Sequence, residues 1–277
     1  YSRAIGLDIE QWLKCDLVDI LTVGGYFRLN PWEYSVQLGH KYGVPVYPSL
    51  DETRFQGEAG KIRGCKESYR ARATNAWAAG MDGILLFNYY KGKTDPLYNE
   101  LGDPNRLVGL DKNYTTGARQ TGMCKSYLKN GDRFLNCAPV SPENPRTIEP
   151  GESVAVELEV GEDLKKSGKP QILLCLQFDG LDETGAVNVS VNENELSQGV
   201  IKKIQISGNQ PSEEVSSVTS TQRKSTDADG KPAGAGLLEI PLEPEIVTKG
   251  MNAIQVGLEA SSHQKIELKD ILLKVRY

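Results

Sequence analysis

Histidine is almost absent: His40 and His263 are the only two in 277 residues. That leaves a Ser-His-Asp hydrolase or a histidine-built metal site with almost nothing to work with. Cysteine is sparse as well. Cys15, Cys65, Cys124, Cys137 and Cys175 lie far apart, and no CxxC pair occurs. A zinc knuckle or a thioredoxin-like centre is therefore not expected. Five cysteines cannot all pair internally. A single bridge, such as Cys124 to Cys137, is open to the chain, and reduced core cysteines are the expected state. No apolar run approaches the ~18 residues of a membrane span. Charge of one sign is not concentrated either: the net charge is −5, with acids and bases interspersed. Without a basic stripe, nucleic acid is not an expected partner. No metal and no cofactor are expected.

What remains is a globular composition, with 39% apolar and 25% charged residues. The length suits two domains. The pattern changes between residues 130 and 145, which gives domains of 1–130 and 131–277. In the first part short apolar runs alternate with helical patterns. Asp8 stands at an N-cap position and Gln11 completes a capping-box pattern for a helix reaching about Cys15. Its neighbours Ile9, Trp12 and Leu13 share a face. Val18 to Val23 reads as a buried strand ending at Gly24-Gly25. Asn30-Pro31 opens a second helix, which runs to about Lys41 with Gly43 as its C′ residue. Val44 to Leu50 is a second strand. A loop from Asp51 to about Lys66 leads to a third helix from Glu67 to Ala79, with Tyr69, Ala73, Ala76 and Trp77 on one face. Ile84 to Phe87 is a third strand, and helical turns are expected between Asp95 and Lys112.

Strands separated by helices imply βαβ units and a parallel sheet. Three parallel strands leave apolar faces uncovered, whereas a barrel closes with about eight. The open sheet should be covered by a missing N-terminal barrel segment or by a partner chain. Tyr1 is not an initiator methionine and no signal-peptide pattern follows it, so the chain is expected to begin at a processed, cloned or proteolysed end.

The second part reads as all-β. Expected strands are Ser153–Val160, Gln171–Phe178, Ala186–Val191, Lys202–Ile206, Gly236–Ile240, Ala253–Leu258 and Lys265–Val275. Turn residues such as Gly161 and Asp179-Gly180 separate them. Short strands at this spacing suggest a two-sheet, jelly-roll-like sandwich. The stretch from Gly208 to Gly234 reads as a long loop.

Several stretches resemble a bacterial group of glycoside-hydrolase-like proteins. They are Gly6-Leu7-Asp8-Ile9-Glu10-Gln11-Trp12, Leu17-Val18-Asp19-Ile20-Leu21, Tyr42-Gly43-Val44-Pro45-Val46-Tyr47-Pro48 and the run from Arg72 to Asn88. The resemblance implies the last three βα units of a TIM-type barrel, its strands six, seven and eight, followed by a β-sandwich. It implies a carbohydrate partner and hydrolysis of a poly- or oligosaccharide. A non-catalytic carbohydrate-binding or structural protein is the alternative. An exported location fits such a family.

Barrel active sites lie at the C-terminal ends of the strands. Here those ends carry Tyr26 and Arg28, then Asp51 and Glu52, then Asn88 and Tyr89. Carboxylates and amides hydrogen-bond hydroxyls, and aromatic faces cover a sugar ring's C–H surface. Glycoside hydrolysis generally uses two carboxyl groups. Asp51 and Glu52 are the catalytic candidates, but neighbours on an extended strand point to opposite faces, so either needs a partner from another strand. An ordinary role for them is a loop ion pair, for instance with Arg54, or a helix cap. Asp8 is explained by capping and Glu10 by solvent. Asp19 and Asp82 precede strands and should be structural. Trp12, Trp32 and Trp77 are expected in the core. Asp179, Asp182, Glu183 and the Asp227–Gly230 turn have oxygen ligands of the calcium type, but plain turns explain them. The shortage of aromatics in the sandwich suggests that it covers the barrel rather than gripping glycans.

Overall fold

The computed structural model describes residues 1–24, 30–51, 55, 57–116, 127–134, 140–142, 144–166, 168–181, 186–196, 202–206 and 235–277, with backbone alone for 132, 202–206 and 235. The N-terminal part alternates helices and strands: α1 (Ile9–Lys14), β1 (Leu21–Gly24), α2 (Trp32–Lys41), β2 (Val46–Leu50), α3 (Gly57–Gly64), α4 (Lys66–Ala78), β3 (Leu85–Leu86), α5 (Leu97–Glu100) and α6 (Pro104–Leu107). β1, β2 and β3 form a parallel sheet in that order. No closed barrel exists among the described residues.

Local chemistry explains most boundaries. The Asp8 side chain accepts the Gln11 N–H at 3.1 Å and starts α1. The reciprocal half of the capping box is not made, because the Gln11 amide turns to Cys15 Sγ instead. α2 starts after Pro31, which has no side-chain cap, and Asn30 stands one residue further out. Gly43, at φ +71°, closes that helix in the left-handed region. Gly39 lies on α2 where a Cβ would strike Val46 and the Val44 carbonyl. Only glycine lets this helix lie so close to β2.

Below the sheet, at the N-terminal end of its strands, Asp82 Oδ2 accepts the Val46 N–H at 2.7 Å and meets His40 Nε2 at 2.8 Å. Glu10 is not simply solvated: its carboxylate accepts from Lys41 and Tyr42. Trp32 is buried, but Trp12 is 38% exposed, close in sequence to the exposed Leu17 and Ile20. The expectation of a core Trp12 is therefore corrected: its side chain reaches the surface.

The C-terminal part is a two-sheet antiparallel sandwich. Its strands are β4 (Lys112–Thr115), β5 (Arg146–Ile148), β6 (Ser153–Val160), β7 (Gln171–Asp179), β8 (Val187–Val191), β9 (Asn194–Glu195), β10 (Lys202–Ile206), β11 (Ala235–Leu242), β12 (Gly250–Leu258) and β13 (Ile266–Arg276). One sheet runs β10-β11-β7-β13-β4, with β5 also on β13; the other runs β6-β12-β8-β9. From β5 to β8, and again from β11 to β13, successive strands alternate between the sheets, as in a jelly roll. Alternate residues turn inward: Val156, Leu158 and Val160 of β6 meet Leu174, Leu176 and Phe178 of β7 in one core.

A register shift between Leu268 and Asp270 changes the parity of β13. Ile266 and Leu268 precede it and Ile271, Leu273 and Val275 follow it, all facing the sandwich core. Asp270 and Leu272 thereby face the other side, toward the helices. There Arg63 of α3 donates two parallel hydrogen bonds of 2.7 Å to Asp270. Both side chains are nearly excluded from water. The stretch from Asp51 to Lys66 is thus not all loop: α3 forms within it, held by this pair rather than by its own propensity.

Further bonds join the two parts. Asn75 of α4 donates to the Glu159 carbonyl at 3.0 Å and accepts the Gly161 N–H at 2.7 Å. A Cβ on Gly161 would stand 2.5 Å from the Thr74 carbonyl oxygen, so glycine is required there by close approach. Lys112, fully buried, donates to the Leu107 and Leu110 carbonyls and to Glu162, which also accepts from Tyr114. β4 precedes residue 130 in the chain, yet it is an edge of the sandwich sheet. The short strands β4, β5 and β9 were not legible as strands from pattern alone. Cys175 is buried and its thiol is pushed up to about 11 by burial, whereas Cys15 is exposed, against the expectation of a core cysteine. Cys124, Cys137, Asp182, Glu183 and the Asp227–Gly230 turn lie outside the described residues.

Removing one member of a buried ion pair strands the other charge. Arg63→Ala or Asp270→Ala is therefore expected to lower stability by about 3–5 kcal/mol, read by chemical denaturation. Arg63→Met combined with Asp270→Leu should recover much of the loss. Equal unfolding midpoints for all variants would contradict the buried pairing. At the base of the sheet, the Val46 N–H, aided by His40, holds the Asp82 carboxyl below its ordinary value of 3.8. The stability this adds is present above that value and lost as pH falls through the lower folded-state value. Asp82→Asn should thus give a shallower acid limb in stability against pH, and an unchanged limb would count against the contribution.

Candidate functional site

The C-terminal ends of β2 and β3 are brought together by the parallel ladder, which the Phe87 N–H extends to the Leu50 carbonyl at 2.8 Å. Asp51 follows β2 directly and is only 5% exposed. Asn88 and Tyr89 follow β3. The structure thus places these three residues at adjacent strand ends. Tyr26, Arg28 and Glu52 lie outside the described residues, as does Arg54.

The group facing Asp51 comes from α4. Arg72 donates from Nη1 to the Asp51 carbonyl, and Nη1 stands 3.9 Å from Asp51 Oδ1. Its Nε and Nη2 donate to the Ser68 and Arg63 carbonyls, each at 3.2 Å. The guanidinium lies over the Tyr69 ring, 4.3 Å from its centroid. Burial pulls the Arg72 pKa down, with Tyr69 and Asp51 opposing. Its side chain is still 23% exposed, and a guanidinium starting so high remains a cation at neutral pH.

Aromatic rings continue the cluster. Tyr69 and Tyr89 meet edge to face at 5.2 Å, and Tyr89 meets Tyr98 in the same manner at 5.7 Å. The Tyr89 hydroxyl donates to Asp95 Oδ2 at 3.1 Å. Burial, then the Asp95 bond, raises the phenol's pKa, so it stays neutral. Asp95 Oδ1 in turn accepts the N–H of Leu97, the first residue of α5. Tyr98 donates to the Tyr89 and Lys91 carbonyls, fixing the segment between them. Asn88 adopts φ +53° and is exposed, accepting a hydrogen bond from the exposed Tyr90 at 3.3 Å.

The arrangement is a recessed carboxylate, a permanent cation and a connected row of tyrosines beside an exposed amide. Such a surface can hydrogen-bond hydroxyls and lie against a sugar's C–H face. Among the described residues, no group of three or more His, Cys, Asp and Glu side chains is placed to hold a metal ion. Arg72, Tyr69, Tyr98 and Asp95 were not picked out as site residues by the sequence. One signal was present: α4 carries cations at Arg70 and Arg72 within a helix buried on several sides. A cation placed there needs a partner.

Arg72→Ala leaves the recessed Asp51 carboxylate without its cation and removes the cover of Tyr69. A loss of about 1–3 kcal/mol in unfolding free energy is expected, together with altered near-ultraviolet circular dichroism of the tyrosines. An unchanged spectrum and midpoint would contradict the coupling.

No family model and no curated protein matches the chain. Among solved structures, a crystal structure of a GH86 glycoside hydrolase in complex with neoagarooctaose is similar over 47% of this chain. The match spans 17% of that protein's chain, with 13% sequence identity and a TM-score of 0.30. At that score the superposition does not by itself define a shared fold. No helix among the described residues is long and apolar enough to cross a membrane.

Proposed function

We propose that the chain is the C-terminal part of a glycoside-hydrolase-like protein that acts on a poly- or oligosaccharide at the strand ends of a TIM-type barrel. In this reading β1, β2 and β3 are the last three barrel strands, and the sandwich braces them. The observation that carries it is Asp51: a carboxylate recessed at the C-terminal end of β2, with Arg72 and the tyrosine row beside it. Asp51 serves as one of the two carboxyl groups that glycoside hydrolysis needs, and its partner comes from a strand outside this chain. Glu52 is the alternative carboxylate. Asn88, Tyr89, Tyr26 and Arg28 hold the sugar. Residues 1–130 provide the site and 131–277 the sandwich, with β4 of the first part serving as an edge strand of the second.

One feature favours a second reading, a non-catalytic carbohydrate-binding or structural protein. Arg72 offsets the Asp51 charge, as in an ordinary structural ion pair. Kinetics separate the two. In the protein as its gene encodes it, reducing-sugar release is measured from agarose, xylan and β-1,4-glucan. Asp51→Asn is expected to lower kcat by roughly 10²–10⁴ while leaving the fold intact. Activity within about twofold of the parent would remove Asp51 from the chemistry. The 277-residue chain alone is expected to be inactive, since three strands supply fewer than half of a barrel's strand ends. Robust turnover by that chain would contradict the partial-barrel reading.

A further inference from the structure

On the outer face of the four-stranded sheet lies a groove of about 460 Å³. It belongs to the sandwich and shares no residue with the strand-end cluster. Gly257 of β12 is its floor, flanked in register by Ser153 of β6 and Asn188 of β8. Two residues back along β12, Gln255 pairs with Ser190. These side chains face away from the sandwich core, because their neighbours Ile254, Val256, Leu258, Val187 and Val189 fill it. The Gln255 amide donates to the Ser153 hydroxyl at 3.0 Å, which fixes one side of the groove and leaves its carbonyl and second N–H for other bonds. Glu152 and Glu195 also line the groove, and no lysine or arginine does so among the described residues.

The lining decides the ligand class. Two carboxylates without a cation disfavour phosphate, sulfate and uronate groups. Val189, Leu196 and Leu258 also line the groove, but the side chains that point outward from its floor are amides and hydroxyls, a poor cradle for an apolar molecule. A peptide would add to a free strand edge, whereas this groove lies across the sheet face. Neutral hydroxyl groups are matched by amide and hydroxyl donors and by carboxylate acceptors. We propose that this face is a second, non-catalytic site for a neutral saccharide. Recognition here is by hydrogen bonds across a glycine floor rather than by aromatic stacking, so the scarcity of aromatics in the sandwich does not exclude it.

Gly257 supplies a sharp test. A Cβ there would sit 3.5 Å from Ser153 Cβ, in ordinary contact, and the residue does not adopt a left-handed φ. Gly257→Val is therefore tolerated by the strand and fills the groove. Asn188→Ala removes an amide with no backbone demand. The 277-residue chain, isotopically labelled, is titrated by NMR with maltohexaose, cellohexaose, xylohexaose and neoagarohexaose, and separately with trigalacturonate and with calcium chloride. At least one neutral probe is expected to shift the Gly257 backbone and the Asn188 and Gln255 side-chain amides. Gly257→Val should abolish the shifts and Asn188→Ala should weaken them, while Arg72→Ala leaves them in place. Three results would overturn the proposal: no neutral probe moves these signals, the shifts survive Gly257→Val, or trigalacturonate or calcium alone reproduces them. Because the readout is confined to the groove, it stands or falls separately from the assignment of Asp51.

Discussion

The buried pairing of Arg63 with Asp270 is the constraint on which the rest of the molecule depends. Two charges withdrawn from water are tolerable only if they meet with good geometry, and here two 2.7 Å bonds from Nη1 and Nη2 join them, while Arg63 Nε makes no hydrogen bond among the described residues. The geometry in turn requires the irregularity at Lys269. Without it, the strict two-residue period of β13 would put residue 270 on the same side as Ile266 and Leu268, inside an apolar core. One extra residue in a strand thus converts a core position into a docking point for α3.

Once α3 is docked, α4 is placed as well, and α4 serves both parts of the molecule. Ala71 packs into the sandwich core, and Asn75 grips the end of β6 and Gly161. Tyr69, Ala73 and Ala76 belong to the core of the α/β layer. Arg72 reaches from this same helix to Asp51. The sandwich therefore fixes the helix that carries the cation and first aromatic ring of the strand-end cluster. A defect at Asp270 would be felt at Asp51 through Arg63, whose carbonyl accepts from Arg72.

Sequence pattern reveals the sandwich better than the site. β6 and β10 have the bounds that the sequence indicates, and in β6 one buried face writes a two-residue period into the side chains. β4, β5 and β9 are too short to carry that period. α3 was hidden because Gly57, Gly60 and Gly64 read as loop; tertiary contact, not propensity, makes it helical. Trp12 was misplaced because helical spacing shows which residues share a face, not whether anything covers that face. At the site, Asp51, Asn88 and Tyr89 follow from the position of strand ends. Arg72 does not, since it arrives from a helix read as core, across 21 residues of chain.

Under the proposed function, the recessed carboxylate after β2 faces a sugar. The most direct measurement is a crystal structure of the protein as its gene encodes it, soaked with a long neutral oligosaccharide. Saccharide density is expected along the ends of β2 and β3, with a sugar oxygen within hydrogen-bond distance of Asp51 and a ring beside the tyrosine row. Asp51 sealed beneath protein, with ordered saccharide found only elsewhere, would contradict it.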